Sequence, residues 1–312
     1  MKFYLFIFIL FTSSLIANTI DINKSFSKEI LSSSQILIDN SKTLTIKEIL
    51  NNQTDFSDIN SSVKRFGYSP NFNVWIKFTL HNSQNEPISK ILEFDNPLVT
   101  NIILYENEFS INKEGLLDKK IDRKTVNPIF SINLDKNETK TYYMEVYSKK
   151  TSLTLKLNLY SYDDFYSKEL FHQIILSLFF GAMIILALYN LSIFFMIRDI
   201  SYFYYVAYIV TLVVHHLLYV GFANLYIFNS YLMQYIVDYA AIFIALPVLF
   251  LALFSKSFLQ TSQYRKINLI LNFLISLLIL SVIFFIFTNY FEKYRNVIPI
   301  FVMVYLFFIT LY

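Results

Sequence analysis

The residues whose types and spacing could do chemistry begin with one short segment, VWIKFTLHN at positions 74–82. Apolar and polar residues alternate strictly along it, which is typical of a strand with one face on a core. The opposite face carries Trp75, Lys77, Thr79 and His81. An indole ring covers the C–H face of a sugar while polar neighbours bind its hydroxyls, so this face is a candidate site for a small, saccharide-like ligand. The alternative is that the same face packs under a loop or against other elements of its domain.

Three ionisable side chains lie within long apolar segments further along the chain. His215 and His216 come shortly before Val220, and Asp238 follows Leu232 by six residues. At 1.5 Å per residue, His215 lies about 7–8 Å and Asp238 about 9 Å inside the ends of their helices. Ionisable groups inside a bilayer usually mark a functional interior. We therefore predict that Asp238 pairs with a histidine, holds two helices together and titrates near neutral pH; the alternative is that these groups reach interfacial water.

Two more residues of the apolar region have predicted roles in helix packing. Asn190 lies about 10 Å inside the end of its helix at the same rise. Its amide is predicted to hydrogen-bond a neighbouring helix, which is worth about 1 kcal/mol. Gly181 would allow two helices to approach closely, although it lacks the partner of a GxxxG motif.

Motifs for catalysis are absent from the sequence. It contains no GxGxxG, GxSxG, Walker or HExxH pattern, and these are common signatures of nucleotide, hydrolase and metalloprotease sites. It has no cysteine and only four histidines, so a dedicated metal site is not expected. The sequence therefore predicts a protein that is not an enzyme and that holds no metal or cofactor.

Charge is distributed unevenly along the chain. Only 16% of all residues are charged, against about 25% in ordinary soluble proteins. Residues 18–168 nevertheless hold nineteen Lys or Arg and nineteen Asp or Glu, as a water-soluble domain would. The net charge of +3 does not indicate a nucleic-acid partner, because no basic cluster stands out.

The N-terminal segment, residues 1–17, has one lysine, the apolar run FYLFIFILF and then small residues. This order predicts a secretory signal peptide. The alternative is an anchor helix that is not cleaved.

Residues 18–168 are predicted to form an antiparallel β-sandwich. The segments between the strand candidates are rich in Asn, Asp, Ser and Pro, which is typical of turns, and several short strands with such turns favour a sandwich. A short helix is predicted at 45–52, and strands are predicted at 34–39, 74–82, 89–94, 101–105, 129–134, 141–146 and 153–160.

Residues 169–312 are predicted to form an all-α bundle of membrane-spanning helices. A bilayer core requires about 20 apolar residues per helix. The first two segments are separated only by Arg198, Asp199 and Ile200, which predicts a tight turn between antiparallel helices. The predicted spans are 171–197, 201–220, 232–254, 267–287 and an incomplete one at 297–312, so we expect a fragment of a longer chain.

The charges of the loops predict the orientation of this bundle. Arg198 and the loop at 255–266, which holds Lys256, Arg265 and Lys266, would lie in the cytoplasm by the positive-inside rule. The sandwich would then lie outside, and the basic residues of the loop at 288–296 would be a mild exception.

The membrane block resembles the bacterial seven-transmembrane receptors with diverse intracellular signalling modules. The matching residues are Gly181, Tyr189–Asn190, Arg198–Asp199, Ser201–Tyr205, Gly221 and Phe258–Leu259. The preceding domain resembles the second type of extracellular domain in that family. Here the matching residues are Phe66–Tyr68, Val74–Phe78 with Asn82, Asn101–Tyr105 and Tyr142–Val146.

This resemblance implies a periplasmic jelly-roll domain, similar to carbohydrate-binding modules, on a seven-helix bundle in the inner membrane. It also implies a cytoplasmic output, a diguanylate cyclase or a histidine kinase, which this sequence lacks together with two of the spans. The expected partners are the lipid bilayer, a small periplasmic ligand of saccharide type and a second copy of the chain.

Two other classes of protein stay open at this point. One is a transporter or channel subunit with an accessory outer domain, although Gly and Pro breaks are few and no half of the bundle is repeated. The other is a purely structural anchor of the outer domain.

Overall fold

The computed structural model describes residues 19–51, 55–106, 108–118, 123–288, 290–294 and 296–310. The predicted signal peptide at residues 1–17 lies outside them. Within the described residues, a β-sandwich domain is followed by a bundle of apolar helices. The predicted fold class, a β-sandwich followed by an all-α membrane bundle, is therefore confirmed.

The sandwich is built from short strands that the turn-rich segments separate. In chain order, the strands in the described residues are β1 (Thr19–Ile22), β2 (Lys28–Glu29), β3 (Gln35–Asp39), β4 (Ser57–Asp58), β5 (Lys64–Tyr68), β6 (Asn73–Asn82), β7 (Ile88–Phe94), β8 (Asn101–Glu106), β9 (Phe109–Glu114), β10 (Ile129–Leu134), β11 (Thr139–Tyr147), β12 (Ser152–Leu155) and β13 (Leu157–Tyr160).

Three sheets result from the pairing of these strands. The large sheet has the order β4-β3-β6-β11-β8-β9, and β1 pairs in parallel with the second half of β6. A four-stranded sheet has the order β10-β7-β13-β2, and β12 pairs with β5. Apart from the β1–β6 pair, the neighbouring strands in the described residues run antiparallel.

The alternation of β6 places its apolar residues in the core of the sandwich. Val74, Ile76, Phe78 and Leu80 are buried there, against residues of the four-stranded sheet such as Leu92. Because successive side chains of a strand point to opposite faces, the polar residues of β6 lie on the outer face of the large sheet. A short helix, α1 (Ile46–Asn51), lies on that outer face.

The helical region begins earlier than the predicted first span. Its helices in the described residues are α2 (Tyr162–Ile197), α3 (Ile200–Tyr219), α4 (Phe222–Tyr226), α5 (Ser230–Asp238), α6 (Ala240–Phe258), α7 (Arg265–Phe287), α8 (Phe291–Tyr294) and α9 (Val297–Thr310).

Helix α2 is the longest of these and links the two domains. Ser161 caps its first turn by accepting a hydrogen bond from the Asp164 amide. Its 36 residues extend about 54 Å at 1.5 Å each, whereas a hydrocarbon core is about 30 Å thick. The first turns of α2 therefore belong to the sandwich and the remainder to the bundle.

The predicted tight turn between the first two spans is present. Arg198 adopts φ 63° after α2, and the Asp199 carboxylate accepts from the Ser201 amide at 2.8 Å to start α3. Helix α3 packs against α2 and α6, and α7 packs against α6 and α9. Four of the described helices, α2, α3, α6 and α7, are long and apolar enough to cross a membrane.

The predicted third span, 232–254, is wrong in its bounds. The helix is interrupted at Tyr239, between α5 and α6, where the backbone has φ −107° and ψ 27°. The long apolar helix begins only at Ala240 and continues to Phe258. Helix α9 occupies most of the predicted fifth segment, and residues 311–312 lie outside the described residues.

Candidate functional site

The outer face of the large sheet brings together three of the four residues that the sequence singled out. Thr79 and Thr141 on β11 share a hydrogen bond of 2.9 Å between their hydroxyls. His81 Nδ1 lies 2.8 Å from the hydroxyl of Thr139 on the same neighbouring strand. Lys77 lies on this face too, opposite Tyr143 in the register of β6 and β11. These side chains form a polar row along the middle of the sheet.

Trp75 does not offer the free ring that the ligand-binding prediction requires. Its side chain is fully buried, because α1 covers this end of the sheet with Ile46 and Ile49. The indole also stacks on Tyr105 with ring centroids 5.6 Å apart. At Trp75 the structure therefore has the alternative arrangement, in which this part of the face packs under another element of the domain.

The aromatic surface beside Lys77 comes from residues that the sequence analysis missed. The Lys77 ammonium lies 5.7 Å from the ring centroid of Phe56 and 6.0 Å from that of Tyr143. The two rings meet edge to face at 6.2 Å, and both are half-buried. The alternation of TYYMEVY in β11 could have placed Tyr143 on this face, because it lies two residues from Thr141 and Glu145.

Glu145 adds a carboxylate at the edge of the Trp75 cluster. Asn73 Nδ2 donates to its Oε1 at 2.9 Å, and the Tyr105 hydroxyl lies 3.4 Å from its Oε2. Burial raises the pKa of Glu145 above its ordinary value, although both hydrogen bonds oppose that shift. Burial and the nearby Glu145 charge raise the pKa of Tyr105 to about 12. The face can therefore stack against a ligand and hydrogen-bond it, and no nucleophile with an attached base appears among these residues.

Metal-ligating side chains do not cluster in the part of the chain that the structure describes. Among the described residues, no group of three or more His, Asp or Glu side chains is close enough to hold a metal ion.

The predicted pair between Asp238 and a histidine is wrong. Asp238 is the last residue of α5, and its carboxylate binds the ammonium of Lys150 in the sandwich at 2.6 Å. The depth estimate assumed one continuous helix, whereas the break at Tyr239 places Asp238 beside the sandwich. His215 stacks on Tyr219, and His216 contacts the ring of Phe179 on α2.

Asn190 and Gly181 also differ from their predicted roles in helix packing. Asn190 is buried, but its Nδ2 donates to the Leu186 carbonyl of its own helix at 2.8 Å. At Gly181, an added Cβ would meet no described atom within 4 Å. Within the described part of the chain, the Asn190 amide therefore donates to its own helix instead of a neighbouring one, and Gly181 is not a point of close helix approach.

The junction between the two domains is held by buried charges. The Glu93 carboxylate is fully buried in the sandwich and binds Lys168 of α2 at 2.6 Å. Asn127 donates to the same carboxylate at 2.8 Å and to Asp95 at 2.9 Å. One turn of the helix is thereby fixed to the interior of the four-stranded sheet.

The next residue of α2 makes a second buried contact with the sandwich. Glu169 Oε1 accepts from the backbone amide of Val126 at 2.8 Å and from Gln173 at 2.7 Å. The segment around Val126 is itself fixed by Arg123, whose guanidinium donates to the Val126 carbonyl at 2.7 Å and pairs with buried Glu114.

An apolar contact completes the junction on the side of α3. Leu116 of the sandwich is buried in one cluster with Leu218, Ala223 and Met233 of the bundle. Gly221 begins α4 at φ +80°, and a Cβ there would lie 2.6 Å from the Pro97 ring. The bundle and the sandwich therefore touch so closely at this point that a side chain at position 221 would force one of them to shift.

Comparison with known families agrees with this two-part architecture. Residues 32–161 match the family described as 7TMR-DISM extracellular 2. Residues 172–312 match the family described as 7TM diverse intracellular signalling. The comparison with curated proteins finds no match to the chain. The two matches cover most of the sequence and are sensory domains rather than catalytic ones, so the chain is a sensory transmembrane receptor of the 7TMR-DISM family.

Proposed function

We propose that this chain is the ligand-sensing and membrane part of a bacterial inner-membrane receptor. Its sandwich lies in the periplasm and binds a small saccharide-like ligand. Its bundle relays binding to a cytoplasmic output, a diguanylate cyclase or a histidine kinase. Loop charge supports this orientation, because Lys256, Arg265 and Lys266 lie at the end of the bundle away from the sandwich.

The observation that carries the relay is the continuity of α2. Its first turns are fixed by Lys168 and Glu169 to buried groups of the sandwich, and the same helix runs on to Ile197. A ligand shifts a conformational equilibrium only when it prefers one state of the protein. A ligand on the large sheet that prefers one arrangement of the sandwich would move the four-stranded sheet relative to the large one. Helix α2, which is fixed to the four-stranded sheet, would carry that movement through the membrane.

The ligand-binding part of the proposal rests on the outer face of the large sheet. The half-buried rings of Tyr143 and Phe56 would cover the apolar face of a sugar. The Lys77 ammonium and the hydroxyl of Thr141 would bind its oxygens, with His81 at the far end of the row. Trp75 lies beside this surface on the same face, covered by α1 and stacked on Tyr105.

A thermal-unfolding screen of the whole chain in nanodiscs tests the ligand class. The probes are maltose, cellobiose and N-acetylglucosamine, and a ligand at one hundred times its Kd stabilises a protein by about 2.7 kcal/mol. We expect at least one probe to stabilise the chain, and Tyr143→Ala and Lys77→Ala to remove the effect. Lys136→Ala, in the exposed turn between β10 and β11, is the control. A stabilisation that Tyr143→Ala leaves intact would place the site elsewhere, and no stabilisation by any probe would reject the saccharide class.

The relay is tested by distance measurement between two spin labels. The chain has no cysteine, so Lys136→Cys in the sandwich and Gln263→Cys beyond α6 can be labelled without removing native thiols. We expect the stabilising probe to change the distance distribution, and Lys168→Met to reduce the change. An identical distribution with and without bound probe would contradict the relay.

A further inference from the structure

An apolar cavity lies at the junction, and neither the sheet face nor α2 lines it. It has a volume of about 290 Å³, close to the lower limit of about 300 Å³ for small-molecule sites. Its walls come from both domains and are almost entirely apolar. The sandwich contributes Tyr68, Leu98 and Leu116, and the bundle contributes Met233, Val237 and Phe243.

The cavity lies at the edge of the apolar layer of the bundle. His215 and Tyr219 line it from the last turns of α3, and Ala240 and Ile244 line it from the first two turns of α6. Tyrosines at this level are typical of the boundary between a bilayer and water. The polar heads of lipids lie at the same boundary, with their alkyl chains on its apolar side.

A polar cavity adjoins the apolar one and shares a residue with it. It has a volume of about 370 Å³ and is lined by Lys149, Lys150, Asp238 and Thr288, among others. Lys150 lines both cavities. Two ammonium groups and one carboxylate leave an excess of positive charge where the apolar cavity meets the polar one.

We propose that this pair of cavities binds an anionic amphiphile, an alkyl chain ending in a carboxylate or phosphate. The chain occupies the apolar cavity, where each buried CH₂ group contributes about 0.8 kcal/mol. The anionic head binds Lys149 and Lys150 in the polar cavity, with charge-assisted hydrogen bonds. A neutral sugar would leave the apolar walls unfilled, and a wholly apolar molecule would leave the ammonium groups unused.

The head of such a ligand competes with Asp238 for Lys150. In the structure, the Lys150 ammonium binds the Asp238 carboxylate at 2.6 Å, and this ion pair joins the sandwich to α5. A bound anion would share or replace that contact, while its alkyl chain touches Leu116 of the sandwich and Met233 of the bundle. The amphiphile therefore replaces a direct contact between the domains by one through itself, independently of the proposed saccharide site.

Native mass spectrometry of the delipidated full chain, with dodecanoate and dodecan-1-ol as probes, tests the proposal. We expect one dodecanoate to be retained. Lys150→Gln should weaken its retention roughly tenfold, because a hydrogen bond to a charged group is lost. Asp238→Asn should strengthen it, because Lys150 loses its competing partner. Neither variant should change retention of the neutral alcohol, and Lys136→Gln should change nothing.

Two cavity-filling variants separate binding in the cavity from adsorption to the membrane surface. Ala240→Trp and Val237→Phe place bulk on different walls, and both should abolish retention of acid and alcohol alike. Circular dichroism reports whether each variant still folds. Full retention of dodecanoate by both folded variants would overturn the proposal. So would a change of dodecanoate retention in the same direction in Lys150→Gln and Asp238→Asn.

A second arm identifies the source of the amphiphile. The chain is released from nanodiscs that contain phosphatidylglycerol, with and without added dodecanoate. Retained phosphatidylglycerol that dodecanoate does not displace indicates a membrane lipid, and retained dodecanoate alone indicates a free fatty acid. Retention of neither species contradicts the proposal.

Discussion

The Lys168 ammonium lies 2.6 Å from a carboxylate oxygen of Glu93, whose side chain is fully buried in the sandwich. Lys168 belongs to α2, which continues without a break to Ile197. This ion pair therefore joins the interior of the extracellular domain to the first membrane span. Flexible linkers between domains allow independent motion, whereas a helix anchored by a buried charge does not.

Lys168→Met tests the strength of that anchor. Removing one partner leaves the Glu93 carboxylate buried with only its amide donors, so we expect the sandwich to lose about 2–3 kcal/mol of unfolding free energy. Denaturant titration followed by Trp75 fluorescence measures this loss. Lys136→Met is the matched control, and adding Glu93→Gln to Lys168→Met should restore part of the stability. A loss of less than about 0.5 kcal/mol, the usual range of a surface change, would show that the pair is not an anchor.

Gly221→Ala should loosen the contact between the sandwich and α4. The new Cβ would lie 2.6 Å from the Cβ of Pro97, at a φ of +80° that alanine rarely adopts. We expect a loss of about 1–2 kcal/mol and faster hydrogen exchange in the turn that begins α4.

Gly181→Ala is the matched control for that change. It also adds one methyl group to a glycine of the bundle, but the added Cβ meets no described atom within 4 Å. Because alanine favours a helix over glycine by about 0.5–1 kcal/mol, we expect no loss of stability. Equal losses in both variants would contradict the close contact at Gly221.

Trp75 is predicted to act through packing rather than through direct contact with a ligand. Its indole N–H is buried without a hydrogen-bond partner among the described residues. Trp75→Phe removes this unpaired donor and keeps most of the ring, so it should change stability by less than about 1.5 kcal/mol. Trp75→Ala should cost about 3–5 kcal/mol. Denaturant titration followed by circular dichroism measures both, and equal effects of the two variants would contradict a packing role.

Asp95 makes the stability of the sandwich sensitive to acid. Its burial would raise the pKa, but the hydrogen bond and charge of Lys156, with the charge of Lys168, hold the pKa below the ordinary value of 3.8. A carboxyl group whose pKa is lowered by folding stabilises the folded state above its unfolded pKa. That stability is lost as the pH falls through the folded pKa. Asp95→Asn should therefore reduce stability at pH 7 and flatten its decline below about pH 4, measured by denaturant titration across this range.

Local pattern predicted much of the fold. The alternation of β6 places Val74 in the core and Lys77 on the outer face, and the uncharged runs on either side of Arg198 match α2 and α3. The strands that were missed, such as β2 and β5, are short and polar, and they become strands by pairing with β13 and β12, far along the chain. Such pairing has no signal in a local window of sequence.

The candidate site was harder to predict, because its residues depend on which segment covers them, where a helix is interrupted and which hydrogen-bond acceptor is nearest. Nothing near Trp75 in the sequence indicates that α1 covers it. The depth of Asp238 was calculated for a straight helix, and the break at Tyr239 turns its carboxylate toward Lys150. The side-chain amide of Asn190 donates to the carbonyl of Leu186, four residues earlier in its own helix.

Labelling of single cysteines in intact cells tests the central claim, that an exported sandwich is joined to a bundle that crosses the membrane. Lys136→Cys lies in an exposed turn of the sandwich, and Gln263→Cys lies in the exposed segment between α6 and α7. We expect a membrane-impermeant maleimide, given access to the periplasm, to label Lys136→Cys at once and Gln263→Cys only after the inner membrane is permeabilised. Protection of Lys136→Cys until permeabilisation would place the sandwich in the cytoplasm and contradict the account.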